Sequence, residues 1–131
     1  MRETILVVDD EADIRAVVRQ MLESKGYIVF DAGDPNQALR IAAQEQVDLL
    51  VTDVIMPLMR GTELAQRLQA VVPSAKVLLM SAYKIAEITD SGLPFLAKPF
   101  TPETLLEKVR QVLQPQTSPF TRRRPPKRPG S

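Results

Sequence analysis

Five short runs rich in apolar residues, at positions 5–8, 27–30, 47–52, 76–80 and 94–97, constrain the fold of this chain more than any other feature. Each has the length of a strand and is too short for a buried helix. Ile5-Leu6-Val7-Val8 contains no polar residue, so it cannot present one face to water. Strands of that kind belong to parallel sheets covered on both sides. The stretches between the runs carry helical spacing instead. Over residues 11–25, Ile14, Val17, Val18 and Met21 fall at i, i+3, i+4 and i+7 and share one face, and Gly26 supplies the left-handed residue that stops the helix. Asp34 followed by Pro35 reads as an N-cap with proline in the first turn, opening a helix to about residue 46. A third helix over 62–71 turns Leu64, Leu68 and Val71 inward and ends before Pro73. Residues 84–90 make a short helical piece with Ile85 and Ile88 as anchors, and Thr101-Pro102 caps a last helix carrying Leu105, Val109 and Val112.

Strand and helix thus alternate five times, which predicts an α/β fold with a parallel sheet and helices on both of its faces. Right-handed crossovers then gather the carboxyl ends of the strands on one edge, where ligand sites of open α/β sheets collect. The first run ends in Asp9-Asp10, the third in Asp53, the fourth in Ser81 and the fifth in Lys98-Pro99. Three carboxylates brought together raise one another's pKa and destabilise the protein unless a cation neutralises them. A hard divalent ion with oxygen ligands, such as Mg²⁺, does this. Each residue also has a plainer reading. Asp9 or Asp10 could cap the helix that follows, Asp53 could be a turn acid, Ser81 could be an N-cap, and Lys98 could be a solvated surface charge.

The strand-end residues, together with Asp53-Val54-Ile55-Met56-Pro57-Leu58-Met59-Arg60-Gly61 and Lys98-Pro99-Phe100, resemble the receiver domain of bacterial two-component response regulators over residues 4–113. That resemblance implies a doubly wound, flavodoxin-like sheet of order 2-1-3-4-5 and a receiver domain over residues 1–113. It implies that Asp53 is the nucleophile that accepts a phosphoryl group from a partner histidine kinase or phosphotransfer protein. Mg²⁺ would be held by Asp9, Asp10, Asp53 and the backbone carbonyl of Ile55. Lys98 would supply a second cation, with a cis Lys98–Pro99 bond. Ser81 would be the switch hydroxyl and Phe95 the aromatic that moves with it. Ile55 and Tyr83 would flank the path of a hydrolytic water; neither can orient one, so the phosphoryl form should be long-lived. The compressed segment from Ser81 to Lys98 is closest in style to hybrid-kinase or stand-alone receivers. Residues 81–93 number 13, against roughly 10–12 for a whole minimal crossover, so the fourth helix should be shortened and the protein should stay monomeric.

Composition narrows the alternatives. Residues 1–113 hold 12 basic and 16 acidic residues, a net of −4, while residues 114–131 hold five basic residues and no acid. The folded part therefore offers no footprint for nucleic acid, and the Pro/Arg-rich end reads as a disordered tail. There is no cysteine for a disulfide and no histidine for an internal phosphohistidine. No signal peptide or membrane-length apolar run is present, which makes the cytoplasm the expected address. An aspartyl-phosphate phosphohydrolase is the competing enzyme reading, but Ile55 stands where such enzymes usually carry a second Asp. A flavodoxin-like flavin carrier would have to place a phosphate against Asp9, Asp10, Glu11 and Asp13. A scaffold acting through the basic tail, indifferent to phosphorylation, is the remaining possibility. The downstream partner is not written in the chain.

Overall fold

The computed structural model describes residues 2–114, so the tail expected from residue 114 onward lies almost wholly outside the described residues. The elements run β1 (Thr4–Val8), α1 (Ala12–Glu23), β2 (Ile28–Ala32), α2 (Pro35–Gln44), β3 (Leu49–Asp53), α3 (Gly61–Val71), β4 (Lys76–Ser81), α4 (Ala86–Ser91), β5 (Phe95–Ala97) and α5 (Pro102–Leu113). All strand pairs are parallel, in the order β2-β1-β3-β4-β5. This is the expected doubly wound sheet, and its reversal of strand order between β1 and β3 opens a crevice at their carboxyl ends.

The two-residue period of each strand divides the core. Leu6, Val8, Leu50, Val77 and Leu79 pack with Ala38 and Ala42 of α2, Leu64, Ala65 and Leu68 of α3, and Ile88 of α4. Their neighbours Ile5, Val7, Leu49, Val51, Leu78 and Met80 face Val18 and Leu22 of α1 and Leu105, Val109 and Leu113 of α5. Burial on both faces explains why β1 and β3 lack polar alternation. Asp34 and Thr101 accept hydrogen bonds from the amides of Gln37 and Thr104, so both caps form as their sequences require.

The helix faces are rotated slightly from the simplest reading. Val17 is 47% exposed, because the inward row of α1 runs through Val18 and Leu22. Val71 is 52% exposed, because the buried row of α3 advances by i+4 through Leu64 and Leu68 to Val72. In α5 the same spacing carries the row to Leu113, with Val112 only half-buried beside it. β2 runs two residues beyond Phe30, since Ala32 pairs with Val8 and the charge of Asp31 is met by arginines of α1. α4 has six residues and ends at Gly92, whose φ of 70° is the left-handed conformation that glycine adopts without strain.

Candidate functional site

β1, β3, β4 and β5 end side by side in the sheet order, and each delivers a polar group to the same edge. One oxygen from each of Asp9, Asp10 and Asp53 lies within 4.8 Å of the other two. Asp9 and Asp53 are buried and Asp10 is exposed. Asp9 does not cap α1, whose N-cap is Glu11; its Oδ1 accepts the Glu11 amide at 2.9 Å in the turn that precedes the helix. The Lys98 ammonium lies between the buried acids, donating to Asp9 Oδ2 at 2.8 Å and to Asp53 Oδ2 at 3.2 Å. The Lys98–Pro99 bond is cis.

Burial raises the Asp53 pKa, and the nearby Asp9 charge adds to the rise, while Lys98 only partly offsets them. For Lys98, burial works against the charged form, yet its bonds and charges with Asp9, and then Asp53, hold the pKa above the ordinary lysine value. The two acids share one ammonium unequally, which is why Lys98 does not cancel the effect of burial on Asp53. Lys98 is nearer to Asp9, and Asp53 is left with surplus negative charge.

Asp10, Asp53, Ile55, Ser81, Tyr83 and Lys98 line one open cleft of about 300 Å³. Ser81 is buried, and its hydroxyl oxygen accepts the Tyr83 amide at 3.1 Å, which leaves its proton available to an incoming oxygen. It does not cap α4, whose N-cap is Ile85. The Tyr83 and Ile55 side chains are exposed at the rim, and Phe95 is half-buried against the core. The loop leaving β3 is tightly held. The Val54 amide donates to Met80, and the Gly61 amide donates back to Val54 at 2.8 Å. A Cβ on Gly61 would stand 2.1 Å from the Asp53 carbonyl oxygen. Glycine is therefore required there by close approach.

The donor set suits a hard divalent cation, since it offers only oxygens. Asp10 and Asp53 also retain lone pairs that no protein donor uses among the described residues. Two contributors go unmarked in the motif. Arg15 of α1 donates to the Asp9 carbonyl at 2.7 Å and to Asp31 at 2.9 Å. Glu87 of α4 accepts from the Thr62 hydroxyl and lies 3.7 Å from Arg60, tying α4 to the start of α3. The only sequence signal for Arg15 is its place on the second turn of the helix that follows the Asp9-Asp10 pair.

Comparison with known proteins gives a single family. The family model of the response regulator receiver domain matches residues 5–110. The sporulation initiation phosphotransferase F of Bacillus subtilis is 34% identical over 118 residues, which cover 86% of this chain and 95% of that protein. Other curated relatives are transcriptional regulators, and this chain spans about half the length of several of them. Among solved structures, the chemotaxis protein CheY4 of Vibrio cholerae is 32% identical with a TM-score of 0.81, covering 86% of this chain and 100% of that one. The receiver domain of the hybrid histidine kinase CckA is 38% identical with a TM-score of 0.75, covering 85% of this chain and 99% of that one.

Proposed function

Because this chain belongs to the response regulator receiver domain family of two-component systems, we propose that Asp53 accepts a phosphoryl group from the phosphohistidine of a partner kinase or phosphotransfer protein. Receiver domains are phosphorylation-dependent signalling domains rather than conventional enzymes. The observation that carries the assignment to Asp53 is its place at the end of β3, in the cleft, beside Asp9, Asp10 and the Lys98 ammonium.

A carboxylate oxygen of Asp53 forms the new bond to phosphorus as the phosphorus–nitrogen bond of the donor breaks, and the imidazole leaves with that electron pair. Such a transfer needs little from the protein beyond position and compensation of charge. Mg²⁺, when bound by Asp9, Asp10 and Asp53, supplies part of that compensation at the phosphoryl oxygens. Lys98 supplies the rest, and Asp9 keeps its ammonium within reach of Asp53. The Ser81 hydroxyl is the donor for a phosphoryl oxygen once Asp53 is modified, and Phe95 has a half-buried seat from which to follow it. Beside the cleft, Ile14, Val17, Met21 and Phe100 line an apolar groove with Lys98 in its wall, a surface suited to a helix of a protein donor.

Incubation with acetyl phosphate and Mg²⁺, followed by intact-mass measurement, tests the assignment. Wild type should gain one phosphoryl group and Asp53→Asn none. Equal labelling of the two proteins would place the nucleophile elsewhere.

A further inference from the structure

We propose that Arg15, braced by Asp31, is a positioning residue for the acid pocket. It clamps the peptide that joins Asp9 to Asp10 and so sets where the two carboxylates stand to receive a divalent cation. The inference rests on the reading of Asp9, Asp10 and Asp53 as metal-holding acids.

The geometry has three parts. Arg15 lies on the second turn of α1, and its Nη1 donates to the Asp9 carbonyl at 2.7 Å. Its Nε donates to Asp31 Oδ2 at 2.9 Å, so one planar guanidinium spans the end of β1 and the end of β2. Asp31 shares a strand face with Val29, which packs toward α1, and this is why it meets the helix. Gly33 leaves the space that the guanidinium fills, since a Cβ there would come within 3.1 Å of Nη1.

The clamped carbonyl matters because a peptide is planar. The six atoms from the Cα of Asp9 to the Cα of Asp10 move as one plate. Fixing its oxygen fixes the tilt from which both side chains leave. Asp9 has further restraints in the Glu11 amide and Lys98. Asp10 is exposed, and its carboxylate has no hydrogen-bond donor among the described residues, so the plate is what orients it. Arg19 separates this role from simple pairing. It binds the same Asp31 carboxylate at 2.5 Å and also Glu23, but it does not touch Asp9.

The test is a Mg²⁺ titration followed by the rise in melting temperature, on wild type, Arg15→Met, Arg15→Lys and Arg19→Met. Replacing Arg15 leaves Asp31 paired with Arg19, so no carboxylate is stranded and the variants retain a cooperative melt. Outer-shell partners of metal ligands are worth about 10–100-fold in affinity. Arg15→Met should therefore need roughly tenfold more Mg²⁺ for half of the full shift. Arg15→Lys should behave like Arg15→Met, because one ammonium cannot hold both acceptors in the fork geometry. Arg19→Met should titrate with wild type. At saturating Mg²⁺, labelling of Asp53 by acetyl phosphate should return to the wild-type level in every variant, which a general loss of structure would not allow. Wild-type titration by Arg15→Lys would reduce the role to charge and overturn the proposal. An equal shift in Arg19→Met, or none in Arg15→Met, would overturn it as well. A wild type that Mg²⁺ does not stabilise at all would instead remove the metal reading on which the proposal stands.

Discussion

Gly61→Ala places one methyl group against the backbone of Asp53, and its cost can be worked from the geometry. The added Cβ would lie 2.1 Å from the Asp53 carbonyl oxygen and 3.0 Å from both the Asp53 carbonyl carbon and the Val54 Cα. Ordinary van der Waals contact begins near 3.4 Å, so the start of α3 and the end of β3 must separate by about 1.3 Å. No flexible side chain can absorb this, because every atom in the way is backbone. The hydrogen bond from the Gly61 amide to Val54, at 2.8 Å, resists the same movement. Overpacking of this kind costs about 1–3 kcal/mol. The gain in helix propensity, at most about 1 kcal/mol, does not offset it. For a domain of this size a net cost of about 1–2 kcal/mol should lower the melting temperature by roughly 4–10 °C. The larger consequence is chemical, since a misplacement near 1 Å can cost about 100-fold in rate. Gly92→Ala is the control, for its φ of 70° imposes local strain while its Cβ would meet nothing within 4 Å. It should lower the melting temperature and leave labelling intact. Thermal melts and acetyl-phosphate labelling at saturating Mg²⁺ read both effects. A Gly61→Ala protein that melts with wild type and labels at the wild-type rate would refute the reasoning.

Three further outcomes are expected. Asp53 has a folded-state pKa above its unfolded value, so the folded state holds the extra proton and stability falls as pH rises through that interval. Asp53→Asn should accordingly raise the melting temperature without metal at neutral pH, and the gain should fade as pH falls through the folded-state pKa toward the ordinary carboxylate value near 4; a gain independent of pH would contradict the shift. Ile55 and Tyr83 rim the cleft with no group to orient a water, so Ile55→Asn with Tyr83→Glu should shorten the phosphoryl lifetime, and an unchanged decay under matched Mg²⁺ would count against that role. α4 spans six residues with Ile88 as its one buried anchor, so its amides should exchange early and the beryllofluoride-loaded protein should remain a monomer; a clean shift to dimer in light scattering would contradict this.

The acids, the hydroxyl and the lysine are legible in the sequence because each follows directly on an apolar run, and an alternating chain leaves all strand ends on one edge. The shortness of α4 is legible too, from nothing more than the residues available between Ser81 and Leu93. The exposure of Val17 and Val71 is not. A helix of 3.6 residues per turn offers two adjacent apolar rows, and only the position of the sheet decides which one turns inward. Arg15 and Asp31 are hidden for a related reason. An arginine on a helix and an acid after an apolar run look like solvated charge until β2 extends to Ala32 and sets them side by side. Gly61 looks like turn chemistry, and only the approach of the Asp53 carbonyl shows that the absent side chain is what the position requires.

The bond from Lys98 to Asp9 joins residues 89 positions apart, and in the sheet it reaches across the ends of β4 and β3. During synthesis the acids emerge first, the third carboxylate follows, and the neutralising ammonium arrives only with the last strand. Until that strand docks, the carboxyl edge of a growing sheet carries three mutually repelling charges with no internal partner among the strand ends. A contact of such long range closes late, because the loop it seals must be ordered before the bond repays that cost. The acid cluster is thus neutralised only when the last strand docks, and a nascent chain stopped before Lys98 holds Asp53 without the ammonium that stands beside it.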